Sequence, residues 1–185
     1  MEYIVLDQET EKKLNEITKK ISALQNWGYD ESVKNLHIDQ KKYNGAGFID
    51  LKRLANNYQP DLNMASILWN TQKREEQIVA CFLLPTDTNK EKITQLASLC
   101  STYEVAEYLG AIHIAKRTDL PEIISLWKNT TDALQQTALL TAVARHLITQ
   151  QEAPLITTEE FQQLLNQKYE DKYVQLIIKR HQNMQ

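Results

Sequence analysis

The chain has 185 residues, of which 42% are apolar, so it can bury a substantial core and wholesale disorder is excluded. Only four glycines and four prolines occur, which favours helices joined by short loops over a turn-rich fold. The net charge is −3, and basic and acidic residues are mixed along the chain. Nucleic-acid-binding proteins usually have an excess of basic residues. The charge balance of this chain therefore argues mildly against a nucleic-acid-binding function.

The apolar segments and the cysteines indicate a soluble, cytoplasmic protein. The apolar stretch from Tyr3 to Leu6 is too short for a signal peptide, and no run approaches the ~20 apolar residues of a membrane span. Cys81 and Cys100 are the two cysteines of the chain. We expect both to be reduced and structural, which suits the cytosol.

Apolar spacing predicts helices through the first half of the chain. Asp7 is a suitable N-cap, because Leu14, Ile17 and Ile21 then recur at the period of a buried helix face. Asp61 is expected to cap a later helix in the same way. The first helix ends near residues 27–29, and the next predicted helices cover residues 31–37, 48–58, 62–69 and 74–84, with a polar, glycine-containing connection over 41–47.

The second half of the chain continues the helical pattern. Ser101 is expected to cap a helix over residues 102–117, with Glu104 as its capping-box partner, and Gly110 within this helix indicates close packing. Pro121 falls in the first turn of a helix that ends at Trp127. The other predicted helices cover residues 90–99, 132–149, 161–167 and 172–181. No segment shows the alternation of a β-strand, so the sequence predicts an all-α protein.

A helix-pair pattern occurs twice. Leu68-Trp69 and Leu126-Trp127 each end a short helix, which is followed by a polar turn and a longer apolar helix. One such pair cannot bury its apolar face alone, so the pattern indicates stacked helical repeats. The sequence therefore predicts one domain over residues 1–185, an α-α superhelix or solenoid of the HEAT-like type.

Most chemical motifs are missing from the sequence. Gly45-Ala46-Gly47 is interpreted as a turn, because no strand precedes it and no third glycine follows. The four histidines are scattered, and no Cys/His pair has metal-ligand spacing, so we predict no metal and no cofactor. Each histidine is interpreted as a surface or packed residue: His37, His113, His146 and His181.

One constellation remains as a candidate site. Tyr103 and Glu107 lie four residues apart, so they share one face of a helix near its N-terminus. An aromatic ring beside a carboxylate suits a cationic ligand, because both attract positive charge. The alternative interpretation is that Tyr103 packs and Glu107 is simply solvated.

Several segments, which together cover roughly residues 48–147, carry a further resemblance: 51–55, 65–69, 73–84, 101–107 and the helix after Trp127. In these segments the chain resembles a known family, the helical-repeat DNA alkylation repair proteins, or AlkD-like glycosylases. It implies a HEAT-like helical-repeat fold, duplex DNA as partner, and excision of positively charged alkylpurines such as 3-methyladenine and 7-methylguanine. It also implies that a carboxylate stabilises the positive charge that develops on the sugar.

The resemblance places the catalytic carboxylate at Glu107 and an aromatic partner at Tyr103. The family pattern has aspartate and tryptophan at these positions, and the longer glutamate can matter because a displacement near ~1 Å can cost ~100-fold in rate. The family's arginine-rich step becomes residues 132–136, which carry no arginine, and no tryptophan follows Trp127.

Two hypotheses follow from the sequence. The first is a glycosylase of alkylated purines, whose candidate phosphate contacts are Lys73, Arg74, Lys116, Arg117 and Arg145. The second is a non-catalytic helical-repeat module that binds DNA or another protein, because solenoids present long binding surfaces.

Overall fold

The computed structural model describes residues 7–24 and 45–182, and these residues form ten α-helices and no β-strand. The prediction of an all-α protein is confirmed for this part of the chain. The predicted helix end at 27–29, the predicted helix over 31–37 and most of the connection over 41–47 lie outside the described residues. Within the described ranges, no helix is long and apolar enough to cross a membrane.

The chain divides into two compact units, Met1–Pro85 and Thr86–Gln185. Each unit contains one copy of the helix pair that ends its first helix in Leu-Trp, which is consistent with a helical-repeat fold. The single domain over residues 1–185 and the solenoid stay predictions.

The described part of the first unit is organised around a buried helix. Its helices are α1 (Gln8–Ala23), α2 (Phe48–Ala55), α3 (Leu62–Asn70) and α4 (Arg74–Leu83). α4 packs against the other three, and every side chain from Arg74 to Cys81 is buried. The carboxylates of Asp7 and Asp61 accept N–H bonds from the first turns of α1 and α3, as the sequence predicted.

The second unit is organised around its longest helix. Its helices are α5 (Lys90–Ser98), α6 (Tyr103–Tyr108), α7 (Leu120–Trp127), α8 (Ala133–Thr149), α9 (Thr158–Leu165) and α10 (Lys172–His181). α8 packs against all five others. It therefore fixes the positions of α6 and α10, which carry the candidate site.

The predicted helix over residues 102–117 is wrong in two respects. Its N-cap is Thr102, whose hydroxyl accepts from the Val105 N–H at 3.1 Å, so Ser101 and Glu104 do not form the expected capping box. After α6 the chain widens into a π-helical turn, Leu109–His113, and then tightens into a 3-10 turn, Ile114–Lys116. Gly110 lies within the π-helical turn, where a Cβ would stand 2.3 Å from the carbonyl oxygen of Ala138. The backbone of this turn approaches α8 so closely that a side chain does not fit at position 110.

The two copies of the repeated pattern adopt the same local structure. Trp69 and Trp127 are 0% and 2% exposed, and each ends a short helix that precedes the central helix of its unit. The Trp69 carbonyl accepts from Gln77 Nε2 at 3.0 Å. Trp127 Nε1 donates to Thr94 Oγ1 at 3.0 Å. Both tryptophans are therefore structural anchors of their units.

The cysteines and the described buried histidines are packing residues. Cys81 and Cys100 are buried and form no disulfide with each other, as expected for structural thiols. Burial raises the pKa of the Cys100 thiol, which keeps it protonated and unreactive. His113 and His146 are also buried, as the interpretation of packed histidines required.

Candidate functional site

α6 brings Tyr103 and Glu107 to one face, as their spacing predicted. Thr102 fixes the start of the helix, and the two side chains lie one turn apart on the face that meets α10. Both are partly exposed. Each side chain makes a polar contact at α10, Tyr103 with the N-cap residue Asp171 and Glu107 with Tyr173, so Glu107 is not simply solvated.

Two tyrosine–carboxylate hydrogen bonds join α6 to α10 and its N-cap residue, and each side supplies one tyrosine and one carboxylate. Tyr103 Oη donates to Asp171 Oδ2 at 2.8 Å, and Tyr173 Oη donates to Glu107 Oε1 at 2.5 Å. The two tyrosine rings stack between these bonds, with centroids 4.5 Å apart and planes inclined by 12°. We call Tyr103, Glu107, Asp171 and Tyr173 the four-residue cluster. Its reciprocal bonds and ring stack fix the orientation of the Glu107 carboxylate.

The second oxygen of Glu107 has a cationic partner. Arg180, in the last turn of α10, places Nη1 2.6 Å from Glu107 Oε2. The Arg180 side chain is 54% exposed, whereas the Glu107 side chain is 20% exposed. The carboxylate is therefore held on one side by a packed phenol and on the other by a guanidinium at the protein surface.

The electrostatics of the four-residue cluster keep both phenols protonated. Burial, and then the bond to Glu107, raise the pKa of Tyr173. Burial, and then the bond to Asp171, raise the pKa of Tyr103. Burial alone would raise the pKa of Asp171, but the bonds from the Tyr103 hydroxyl and two backbone N–H groups outweigh it and lower that pKa. In the cluster, two neutral phenols therefore donate hydrogen bonds to two carboxylates, Tyr103 to Asp171 and Tyr173 to Glu107.

The Glu107 charge also acts on Arg180. Burial alone would lower the pKa of Arg180, but the hydrogen bond and charge of Glu107 outweigh it and raise that pKa. The pair is thus a charged one, and Arg180 stands where a positive group of a ligand would be attracted.

A groove of about 850 Å³ opens beside the four-residue cluster at Asp171. The loop between α7 and α8 forms one side, and the loop between α9 and α10 forms the other. Lys128 and Lys168 border it from these two loops. The groove gives the second unit a polar surface that reaches the carboxylate partner of Tyr103.

The five predicted phosphate contacts differ in exposure. Lys73, Lys116 and Arg145 are exposed, although Lys73 forms an ion pair with Glu76. Arg74 and Arg117 are buried, with 2% and 4% exposure. The following contacts engage these two guanidinium groups: Arg74 with Glu75 Oε1 and the Ala46 carbonyl, and Arg117 with both oxygens of Asp119 and with His113 Nε2.

Sequence reasoning missed the part of the site that α10 supplies. Tyr173 and Arg180 lie seven residues apart, so helical spacing puts them on one face. Nothing local indicates that this face meets α6. The family pattern pointed to a tryptophan after Trp127, which this sequence lacks, whereas the ring that stacks on Tyr103 belongs to Tyr173.

No group in the described residues offers three His, Cys, Asp or Glu side chains placed to hold a metal ion. The groups that this site presents are a carboxylate, two phenols and a guanidinium. A carboxylate with a fixed position can stabilise a positive charge and can accept a proton.

Comparison with known proteins identifies the family. The family model described as DNA alkylation repair enzyme matches residues 17–168. The chain therefore belongs to the DNA alkylation repair enzyme family, which confirms the resemblance found in the sequence. Searches of curated proteins and of solved structures found no match. The matched region includes Tyr103 and Glu107 but ends before α10, which supplies the other half of the site.

Proposed function

We propose that the protein hydrolyses the N-glycosidic bond of positively charged alkylpurines in duplex DNA, with Glu107 as the essential carboxylate. Membership of the DNA alkylation repair enzyme family supports the substrate class. The observation that carries the proposal is the partly exposed Glu107 carboxylate, whose Oε1 accepts a hydrogen bond from Tyr173, the residue whose ring stacks on Tyr103.

The chemistry follows from the charge of the substrate. When the bond between C1′ and the base nitrogen breaks, its electron pair moves to the cationic base, which leaves as a neutral molecule. Positive charge then develops on the sugar, and a nearby carboxylate stabilises it. Water adds to C1′ and loses a proton, and Glu107 is the group that accepts this proton.

Tyr173 compensates for the extra length of the glutamate. The family pattern has aspartate at this position, and Glu107 has one more rotatable bond. The hydrogen bond from Tyr173 and the ring stack with Tyr103 restrict that additional freedom. The carboxylate then has the fixed position that charge stabilisation requires.

The phosphate contacts that we propose are exposed basic residues, one in the first compact unit and the others in the second. Lys73, Lys116 and Arg145 remain candidate phosphate contacts because their side chains are exposed. We leave out Arg74 and Arg117, because burial and internal partners leave these groups little surface for a phosphate. Lys128 and Lys168 are added because they border the groove beside Asp171.

The test is single-turnover release of 3-methyladenine and 7-methylguanine from methylated duplex DNA, with protein in excess over DNA. We expect Glu107→Gln to slow release by about 100-fold or more, since it removes the charge that stabilises the transition state. Glu104→Gln, on the same helix, is the matched control and should release base at the rate of the unmodified protein. Equal release by Glu107→Gln and the unmodified protein would remove Glu107 from the mechanism.

A second candidate function is supported by Arg180. Because its guanidinium neutralises Glu107 in the resting protein, the chain also fits a module that binds DNA without breaking the glycosidic bond. This alternative predicts duplex binding with no base release by any variant. Phosphate-driven binding weakens steeply as salt rises, whereas binding that does not respond to salt would favour a protein partner.

A further inference from the structure

The two oxygens of Glu107 are held in different ways. Oε1 accepts from Tyr173, whose ring is stacked on Tyr103 and therefore has little freedom to move. Oε2 is paired with Arg180, whose side chain is 54% exposed. Arg180 also interacts with the Tyr173 side chain, but its guanidinium is the more exposed of the two partners and is not part of the ring stack between the two helices.

The position of Arg180 along its helix supports this difference. Arg180 lies next to the last residue of α10 and forms part of a basic final turn with Lys179 and His181. A guanidinium takes no part in the backbone hydrogen bonds that hold the helix together. It can therefore leave Glu107 while α10 stays folded.

The charge of Glu107 decides what can replace Arg180. The Glu107 carboxylate is 20% exposed, so it is less hydrated than the guanidinium and favours a positively charged partner over a neutral one. A ligand that carries its own positive charge restores the pair. The exchange is then one cation for another, and the carboxylate is never left uncompensated.

We infer that Arg180 is a resident counter-ion that occupies the position of the ligand's positive charge and must be displaced when a cationic purine binds. This role rests on the proposed function, because it takes Glu107 as the group that meets the cation. Removal of the Arg180 charge eliminates the competitor and a repulsive positive charge. It should therefore strengthen the binding of cationic purines, and the exposure of the pair limits the gain to about fivefold.

The experiment is equilibrium binding of 7-methylguanosine, under mildly acidic conditions where its ring is a cation, to the full chain and to two variants. Arg180→Gln should bind the nucleoside about fivefold more tightly than the unmodified chain. Lys179→Gln is the matched control, because it removes the same charge from the neighbouring residue and should leave the affinity unchanged. Urea unfolding of both variants checks that each is folded.

Base release from methylated DNA, measured on the same preparations, separates this inference from the proposed function. Tighter binding by Arg180→Gln alone supports the resident counter-ion, and it does so even when no preparation releases base, which would overturn only the glycosylase. Equal or weaker binding by Arg180→Gln overturns the resident counter-ion, including the case where the unmodified chain releases base normally. An equal gain in Lys179→Gln overturns it as well, since the effect would then come from net charge.

Discussion

Two arginine–glutamate pairs, one in each compact unit, have the same chemistry and very different exposure to water. Arg74 Nη1 lies 3.2 Å from Glu75 Oε1, and these side chains are 2% and 0% exposed. Arg180 Nη1 lies 2.6 Å from Glu107 Oε2, and these are 54% and 20% exposed. Burial makes each member of the first pair depend on the other, whereas water around Arg180 lets it separate at low cost.

The other contacts of the two pairs follow the same division. Glu75 Oε1 also accepts the Gly45 N–H at 3.0 Å, and Arg74 Nη1 donates to the Ala46 carbonyl at 3.2 Å. The buried pair thus attaches a backbone segment to α4. The exposed pair instead leaves one partner of Glu107 facing solvent. An arginine–glutamate pair therefore indicates a binding site only where one partner can exchange with water or ligand.

The largest effect is expected from breaking the buried pair. Arg74→Met should lower the free energy of unfolding by about 3–5 kcal/mol, because it leaves the buried Glu75 charge without its counter-ion. Urea denaturation measures this loss. The double variant Arg74→Met with Glu75→Gln should recover a large part of it, since no buried charge then remains. A loss under about 1 kcal/mol in the single variant would contradict the structural role of this pair.

Acid should destabilise the second unit through a buried histidine beside another buried arginine. Burial, and then the Arg117 charge, lower the pKa of His113 from 6.5 to about 4. The Arg117 guanidinium is a donor, so His113 Nε2 must be the unprotonated acceptor at 3.3 Å. The folded protein thus favours the neutral His113 ring. Between pH 6.5 and about 4, His113 binds a proton in the unfolded chain but stays neutral in the folded chain.

This difference in protonation predicts a stability loss of about 3 kcal/mol as the pH falls from 7 to 4, in addition to any contribution from carboxylates. The destabilisation that comes from His113 is nearly absent above pH 6.5 and reaches its full size below about pH 4. His113→Gln keeps an acceptor for Arg117 but does not titrate, so its stability should fall less steeply over this range. Parallel curves of unfolding free energy against pH for the two proteins would rule this explanation out.

A smaller effect is expected within the four-residue cluster. Tyr173→Phe removes the bond to Glu107 and keeps the ring stack, so it should cost about 1 kcal/mol of unfolding free energy. Tyr103→Phe is its mirror variant, which removes the bond to Asp171, and should cost a similar amount. Thermal unfolding at equal protein concentration compares them. If only one of the two variants loses stability, the two tyrosine–carboxylate hydrogen bonds do not contribute equally to the free energy of unfolding.

The smallest effect on stability is expected from the exposed pair. Arg180→Gln should change the free energy of unfolding by less than about 1 kcal/mol, because an exposed arginine gives little net stabilisation. The same urea denaturation that measures Arg74→Met checks this value. A loss comparable to that of Arg74→Met would show that the two pairs are energetically alike and would remove the basis of the comparison.

Sequence reasoning predicted most helices because local periodicity and capping residues determine them. The helix over 172–181 and the N-cap at Asp61 were predicted correctly. It failed at 102–117, where the helix widens into a π-helical turn and then tightens into a 3-10 turn. Gly110 in this turn was recognised as a point of close packing, but local periodicity does not show that its partner is α8, a segment distant in sequence.

In the candidate site, too, the features within one helix were predictable, and the contacts between distant segments were not. The spacing of Tyr103 and Glu107 predicted their shared face, since both lie on one helix. Tyr173 is 66 residues from Glu107, and Arg180 is 73 residues from it, so no local pattern could pair them. Long charged side chains are exposed by default, and this default made Arg74 appear as a phosphate contact. Its burial depends on tertiary packing that composition does not reveal.

The wide separation of the site's two halves has a consequence for protein synthesis. Glu107 leaves the ribosome 66 residues ahead of Tyr173 and 73 ahead of Arg180. At ~5–20 residues per second, the delay is roughly 3–15 seconds. During that interval the nascent chain already carries its carboxylate, but nothing orients or neutralises it. The orientation of Glu107 that the structure shows therefore requires that α10 has been translated and has packed against α6.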